Sequence, residues 1–518
     1  MDTHSRNEPL PSRTREVDVA AHTRPFISFM TNNPTVFHAV DHFSSRLESY
    51  GFKCLSERSL WTDELHRGGK YYVQRNGSSL IAFVVGDKYQ AGNGAAIVAG
   101  HIDAITAKLK PISKLRTKAG YVQLGVAPYA GGLNSTWWDR DLGVGGRVLV
   151  KEGKKIVTKL VKLDWPIARI PTLAPHFGVA SQGPFNRETQ MVPIVGLDNS
   201  NFNADDGGQS EPSVLGGEGS FAATQPLRLV KAIAGELGIR DCEHALQGCR
   251  DAEWTCRWEL FRRNAHSAIL VPTLDSTIVN WELELFDTQP AQLGGLDKEF
   301  IFAGRIDDKL CSYSALEALL ASSSSTASGI IKVVGLFDDE EIGSLLRQGA
   351  RGNFLTTVLE RTVESLTNDK GANILAQTYA NSFLVSADVT HAVNPNFLNA
   401  YLQNHAPRLN VGLCVAADPN GHMTTDAIST ALLQRVADKV DATLQVFQIR
   451  NDSRSGGTVG PMLSSKTGIR AIDAGLAQLS MHSIRATTGS LDPGLGVKIF
   501  KGFFDHFEEV DKEFTEES

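Results

Sequence analysis

Cysteine is scarce in this chain, with six residues in 518 and no Cys-x-x-Cys pair. That scarcity excludes a disulfide-stapled scaffold and a ribbon-type zinc site. A basic excess is missing as well: 51 Lys and Arg face 58 Asp and Glu, for a formal net charge of −7. Such a balance leaves no electrostatic footprint for nucleic acid. No apolar run approaches the roughly eighteen residues of a membrane span, so no membrane insertion is expected. Residues 1–24 are polar, lack the apolar centre of a secretory signal, and read as a loose N-terminal tail. The G-x-S-x-G elbow of serine hydrolases is absent, and so is the H-E-x-x-H string of single-zinc proteases. Residues 143–146 (GVGG) carry only a fragment of a dinucleotide fingerprint. Hydrophobic residues make up 42%, an ordinary globular share once the 47 glycines are added, which excludes wholesale disorder. The expectation is a multidomain protein made in the cytosol.

What the chain does have is α/β texture in two blocks. Asn33-Pro34-Thr35 is a helix start, followed by Val36, Ala39, Val40 and Phe43 at helical spacing. Residues 80–85, 95–99, 330–337, 383–386 and 469–474 are short apolar runs of the kind that form buried strands. Helical patterns lie between them, over Leu310 to Leu320 and Ile428 to Val440. This alternation predicts a mostly parallel sheet flanked by helices, over residues 25–111 and 295–518. From 112 to 294 the texture is richer in glycine, proline and alternating residues, which predicts an inserted β-rich domain. Within it, residues 241–274 hold Cys242, Cys249 and Cys256 with Trp254 and Trp258, and follow no period. The spacing of those cysteines does not suit zinc, and the segment reads as an atypical insertion.

Five short strings sit at or just beyond the expected strands: Gly100-His101-Ile102-Asp103, Arg305-Ile306-Asp307-Asp308, Asp338-Asp339-Glu340-Glu341, Ala387-Asp388 and Met481-His482. Taken singly, each is more often a cap or a satisfied polar residue, and Glu340-Glu341 also suits a helix N-terminus. Ligands of open α/β sheets gather at the carboxyl ends of strands, so the strings can converge. Clustered carboxylates repel unless a cation neutralises them, and two histidines with several carboxylates suit Zn²⁺-type ions.

The strings lie in longer stretches: residues 99–111 (AGHIDAITAKLKP), 131–147 (GGLNSTWWDRDLGVGGR), 337–349 (FDDEEIGSLLRQG), 418–426 (DPNGHMTTD) and 453–489. From about Phe26 to Phe507 the chain resembles the family of aspartyl aminopeptidases and fungal vacuolar aminopeptidase I, dinuclear zinc exopeptidases. The last two stretches are similar to the vacuolar branch in particular. The resemblance implies two Zn²⁺ per subunit: one held by His101, Asp307 and Asp388, the other by a bridging Asp307 with Glu341 and His482. It implies Glu340 as general base and Asp103 as the residue that orients His101. His176, in residues 169–177 (RIPTLAPHF), matches a histidine that reaches the active site of a neighbouring subunit. A dodecamer built from dimers through the inserted domain is implied, acting on peptides.

Two further expectations follow. Aspartyl aminopeptidases carry lysines that fall at Val411 and Ala416 here, one of which pairs with an acidic substrate side chain. Their replacement by uncharged residues predicts a preference for neutral, leucine-like N-terminal residues. The alternatives are an aspartyl aminopeptidase cleaving N-terminal Asp or Glu, and a large cargo or storage assembly with incidental activity. The vacuolar branch is delivered as autophagy cargo, which implies an autophagy receptor as partner and a vacuolar address. The short tail, without an amphipathic helix, keeps the cytoplasm open.

Overall fold

The computed structural model describes residues 17–198, 219–239, 276–323, 327–367 and 372–514. The apolar runs form strands: Ser79–Val85, Ala95–His101 and Ile331–Phe337 are buried at every position. Their alternate side chains serve two different cores. Leu80, Ala82 and Val84 join a cluster with Leu316, Phe500 and Phe503, whereas Ile81, Phe83 and Val85 join one with Phe354, Leu359 and Leu463. A sheet buried on both faces therefore needs helices on both. Thr23–Asn32, Val36–Ser49, Ile306–Ser322, Ala427–Lys439 and Asp492–Asp511 supply one layer, and Phe354–Ser365 with Val459–Thr467 the other.

The larger sheet has nine strands among the described residues. In spatial order they are Lys53–Leu55, Lys70–Arg75, Ser79–Val85, Ile331–Phe337, Ala95–His101, Phe383–Ser386, Arg470–Gly475, Leu413–Ala416 and Leu444–Phe447. Its centre, from Ile331–Phe337 to Arg470–Gly475, is parallel throughout. The ends of these strands consequently share one edge, where His101, Asp338 and Asp388 follow. Thr35, in the expected helix start, accepts from the His38 N–H, and Asp426 forms a capping box with Ser429.

The second sheet has six strands: Lys155–Lys162, Leu142–Glu152, Ser276–Asp287, Thr106–Lys114, Tyr121–Tyr129 and Ile194–Leu197. It has its own core, including Trp137, Val144, Val148, Leu283 and Leu285, against which Leu227–Glu236 packs.

Three boundaries differ from expectation. The second sheet begins at Thr106, not after Pro111, which lies inside the strand where pairing slips between Leu109 and Lys114. Proline lacks an N–H and is tolerated in such a slip. At the other end, Gln292–Gly294 pairs with Phe300–Ala303 and so belongs outside the second sheet. Residues 17–24 are not a loose tail. Thr23 Oγ1 donates to the Ser490 carbonyl at 2.6 Å. The Val19 carbonyl comes so close to Gly494 that a Cβ there would sit 2.0 Å from it. Residues 1–16 and the insertion at 241–274 lie outside the described residues.

Candidate metal centre

Each chemistry-bearing string is delivered by a strand end or a strained turn. His101 closes the strand Ala95–His101 and is almost fully buried. Asp388 follows Phe383–Ser386, and its backbone fits only because residue 475 is glycine: a Cβ there would meet the Asp388 carbonyl at 1.6 Å. Asp307 follows Arg305, which is left-handed at φ 61°. Glu340 and Glu341 begin a short 3₁₀ turn after Asp339, itself at φ 62°. His482 sits at φ 60° beyond the strand Ala477–Gln478. Left-handed non-glycine residues beside all three of these positions are the kind of local strain that clusters at functional sites.

The strings converge. His101 Nε2 lies 3.2 Å from Asp307 Oδ1, 3.6 Å from Asp388 Oδ1 and 3.8 Å from Glu340 Oε2. His482 Nε2 lies 3.6 Å from Asp307 Oδ2 and 3.5 Å from Glu341 Oε2. The two oxygens of Asp307 thus face two different histidines. By donor spacing the residues fall into two sets, His101 with Glu340 and Asp388, and Asp307 with Glu341 and His482. Asp103 lies behind them: its Oδ1 is 3.2 Å from His101 Nδ1 and accepts the Glu340 N–H, while its Oδ2 accepts the Glu341 N–H.

The electrostatics mark a place for cations. Burial, then the charges of Asp307 and other carboxylates, pushes Glu341 up to about 9. Burial likewise pushes Glu340 up to about 8, with Asp388, Asp103 and Asp307 adding to it. Asp388 is raised by burial and by Asp307. Burial pulls His101 down, but Asp103, Asp307 and Asp388 lift it well above its ordinary value. Buried Glu341 Oε1 and Gln478 Oε1 have no hydrogen-bond partner. Carboxylates forced to hold protons, together with partnerless acceptors, are what a divalent ion relieves.

The family model described as "Aminopeptidase I zinc metalloprotease (M18)" matches residues 29–247 and 269–504. The chain belongs to this family. The match is interrupted between 247 and 269, inside the insertion singled out by sequence. The chain is 42% identical to vacuolar aminopeptidase 1 of Saccharomyces cerevisiae, over 95% of this chain and 89% of that protein. It is 38% identical to an aspartyl aminopeptidase of Aspergillus oryzae, over 94% and 96% respectively. Among solved structures, mApe1 of Chaetomium thermophilum superposes with a TM-score of 0.82 at 53% identity, covering 96% of this chain and all of that one. The Saccharomyces cerevisiae mApe1 dodecamer gives 0.80 at 38%, covering 96% of this chain and 99% of its own. The structure of an Ape4 and Nbr1 complex gives 0.84 at 34%, covering 97% and 90%. This M18 protein is a zinc aminopeptidase with the family's α/β fold, and its donor set of histidine nitrogens and carboxylate oxygens suits that ion.

Of the residues expected as ligands, base, orienting carboxylate and cross-subunit histidine, all but one meet in this cluster. His176 lies apart, exposed on the 3₁₀ segment Pro175–Ser181, with its ring against that of Phe177. Val411 and Ala416 sit at and in the strand Leu413–Ala416, Ala416 being buried. Two residues that touch the cluster escaped the sequence reading. Gln478 places Nε2 3.3 Å from Asp307 Oδ2, and the Tyr129 hydroxyl donates to Asp103. Neither type signals metal chemistry, and Tyr129 arrives from the other sheet.

Proposed function

We propose that this M18 aminopeptidase removes neutral, leucine-like N-terminal residues from peptides, using two zinc ions per subunit and Glu340 as general base. His101, Asp307 and Asp388 hold one ion, and Asp307, Glu341 and His482 the other. The observation that carries the pairing is the two-sided Asp307, 3.2 Å from His101 through Oδ1 and 3.6 Å from His482 through Oδ2. Bound, the ions polarise the scissile carbonyl and lower the pKa of the attacking water. Glu340 takes the water's proton and returns it to the leaving amine. Asp103 holds the His101 imidazole by its Nδ1 and fixes the turn bearing both glutamates through their N–H groups. Replacement of Glu340 by Gln, with metal analysis alongside activity, tests the assignment. Zinc retained with activity lost is expected, and full activity would refute it.

Substrate preference rests on Val411 and Ala416. An acidic substrate side chain buried there meets no cation at either position, and such burial costs several kcal/mol. Arg450, farther along, is already paired through two hydrogen bonds with Asp452. Comparing hydrolysis of Leu-, Asp- and Glu-p-nitroanilides decides the point, and faster cleavage of the acidic substrates would overturn it.

The assembly is a homo-dodecamer in which the inserted domain pairs subunits and His176 enters a neighbour's site. Exposed Phe177 and Val179 beside His176 support this, as does the dodecamer among the solved relatives. With the strand boundaries above, the inserted domain runs from Thr106 to Asp287 rather than from 112 to 294. The protein reaches the vacuole as autophagy cargo through a receptor, a reading supported by the vacuolar relative and the Nbr1 complex. No helix of the described residues is long and apolar enough to cross a membrane. Loss of vacuolar signal from a fluorescent fusion in autophagy-deficient cells is the expected result.

A further inference from the structure

We propose that Tyr129, a residue of the six-stranded sheet, is a positioning residue for the catalytic centre, acting through Asp103 on His101 and on the Glu340-Glu341 turn together. The inference rests on the ligand assignment above. Asp103 is 3% exposed and its carboxylate is shared among four groups. Three lie at 3.2 Å: His101 Nδ1, the Glu340 N–H and the Glu341 N–H. The fourth, the Tyr129 O–H, is the shortest at 2.7 Å. It is also the only one of the four that comes from the other sheet. The hydroxyl lies 3.3 Å from Asp339 Oδ1 as well, so it faces the residue that starts the glutamate turn. A carboxylate that must aim one oxygen at an imidazole and both at backbone N–H groups has little rotational freedom left. The phenol removes the rest.

Tyr129 is itself held on every side. It ends the strand Tyr121–Tyr129 opposite Thr106 and is 8% exposed. The chain then turns sharply: Ala130 has φ 52°, and a Cβ at Gly132 would sit 2.0 Å from the Thr106 carbonyl. The Lys108 ammonium lies 3.9 Å above its ring centroid, a cation–π contact that fixes the ring plane. Burial, then the charge of Asp103, raises the phenol's pKa, so it remains a donor. The six-stranded sheet thus reaches the Asp103 carboxylate through the Tyr129 hydroxyl, and a shift of that strand end would be felt at both proposed metal positions and at the base.

The test compares Tyr129→Phe, which keeps the ring and its cation–π contact, with the parent enzyme. Zinc affinity by competition with a chromogenic chelator is expected to fall about 10- to 100-fold. In the same variant kcat should fall by roughly tenfold or more with KM for Leu-p-nitroanilide little changed, the pattern of lost positioning rather than lost binding. The visible absorption of the cobalt-substituted protein, which reports ligand geometry, should shift. Parent-like zinc affinity, kcat and cobalt spectrum would overturn the proposal. Should the Phe variant not fold, Lys108→Met frees the ring while leaving the hydroxyl, and the same chelator competition applies: weaker zinc binding supports the proposal and unchanged binding overturns it. Asp307→Ala separates the two levels. If it alters neither zinc content nor activity, the ligand assignment fails; if it abolishes both while Tyr129→Phe changes nothing, only the role of Tyr129 fails.

Discussion

The carboxyl edge of the nine-stranded sheet and the segment Pro175–Ser181 are unfinished in opposite ways. At the edge, buried Asp103 and half-buried Asp307, Glu340, Glu341 and Asp388 are gathered against two histidines, so what is lacking is positive charge. In the segment no residue is buried: Phe177 is 62% and Val179 81% exposed beside His176, so what is lacking is apolar cover. A deficit of charge is met by something small, since Coulomb interaction is strong at short range in a dry site. A deficit of cover is met only by a large surface, because burial gains about 25 cal/mol for each Å². The comparison teaches that the proposed assembly calls for two completions of different scale, ion capture and subunit contact.

The sharpest way to break the comparison is to destroy the edge alone. Asp307→Ala is expected to lower kcat by about 10⁴-fold or more and to strip zinc, measured by peptidase assay and metal analysis. Glu340→Gln should lower kcat about 10²- to 10⁴-fold with zinc retained. Next comes the segment. His176→Ala should cost about 10²-fold in kcat while zinc content and particle size by light scattering are preserved. Phe177→Asp with Val179→Asp should shrink the particle instead, and a fully active small species would end the shared-site idea. A smaller effect is expected at Ala416→Lys, which should move the ratio of Asp- to Leu-substrate hydrolysis toward Asp by about tenfold or more.

The smallest effect is a slope. Glu340 and Glu341 hold protons in the zinc-free fold at about 8 and 9, and release them near 4.3 when unfolded. The folded state therefore binds more protons between those values, and stability falls as pH rises through 7 to 9. His101, raised, acts in the same direction, while Lys309, held down by burial to about 7, opposes it with one proton. Zinc displaces the carboxyl protons, so melting temperature should drop more steeply from pH 7 to 9 without zinc than with it. Parallel slopes would mean that the carboxylates are not the ion site.

The sheet was legible where its physics is local. Residues 80–85, 95–99 and 383–386 are strands because a sheet covered on both faces needs uninterrupted apolar runs. The start of the second sheet was not legible, since proline normally ends a strand and Pro111 escapes that rule only through a slip in its strand's pairing with Tyr121–Tyr129. Residues 17–24 misled for a similar reason: their anchors, Ser490 and Gly494, lie more than 460 residues away, as the Thr23–Ser490 separation of 467 shows. The proposed ligands His101 and Asp388 carried their chemistry in their type. Tyr129 and Gln478 did not, because an aromatic ring or an amide becomes part of such a site only through what it faces.

The spread of the site along the chain, from His101 to His482, has a consequence in time. Synthesis delivers the amino-terminal histidine first and the second one some hundreds of residues later, after Asp307, the two glutamates and Asp388 have passed. On the proposed assignment, a growing chain completes one ligand set at Asp388 and the other only at His482, shortly before the helix Asp492–Asp511 emerges. The two proposed ion positions therefore become available one after the other. The full proposed donor set is completed only after every strand of the nine-stranded sheet has been made.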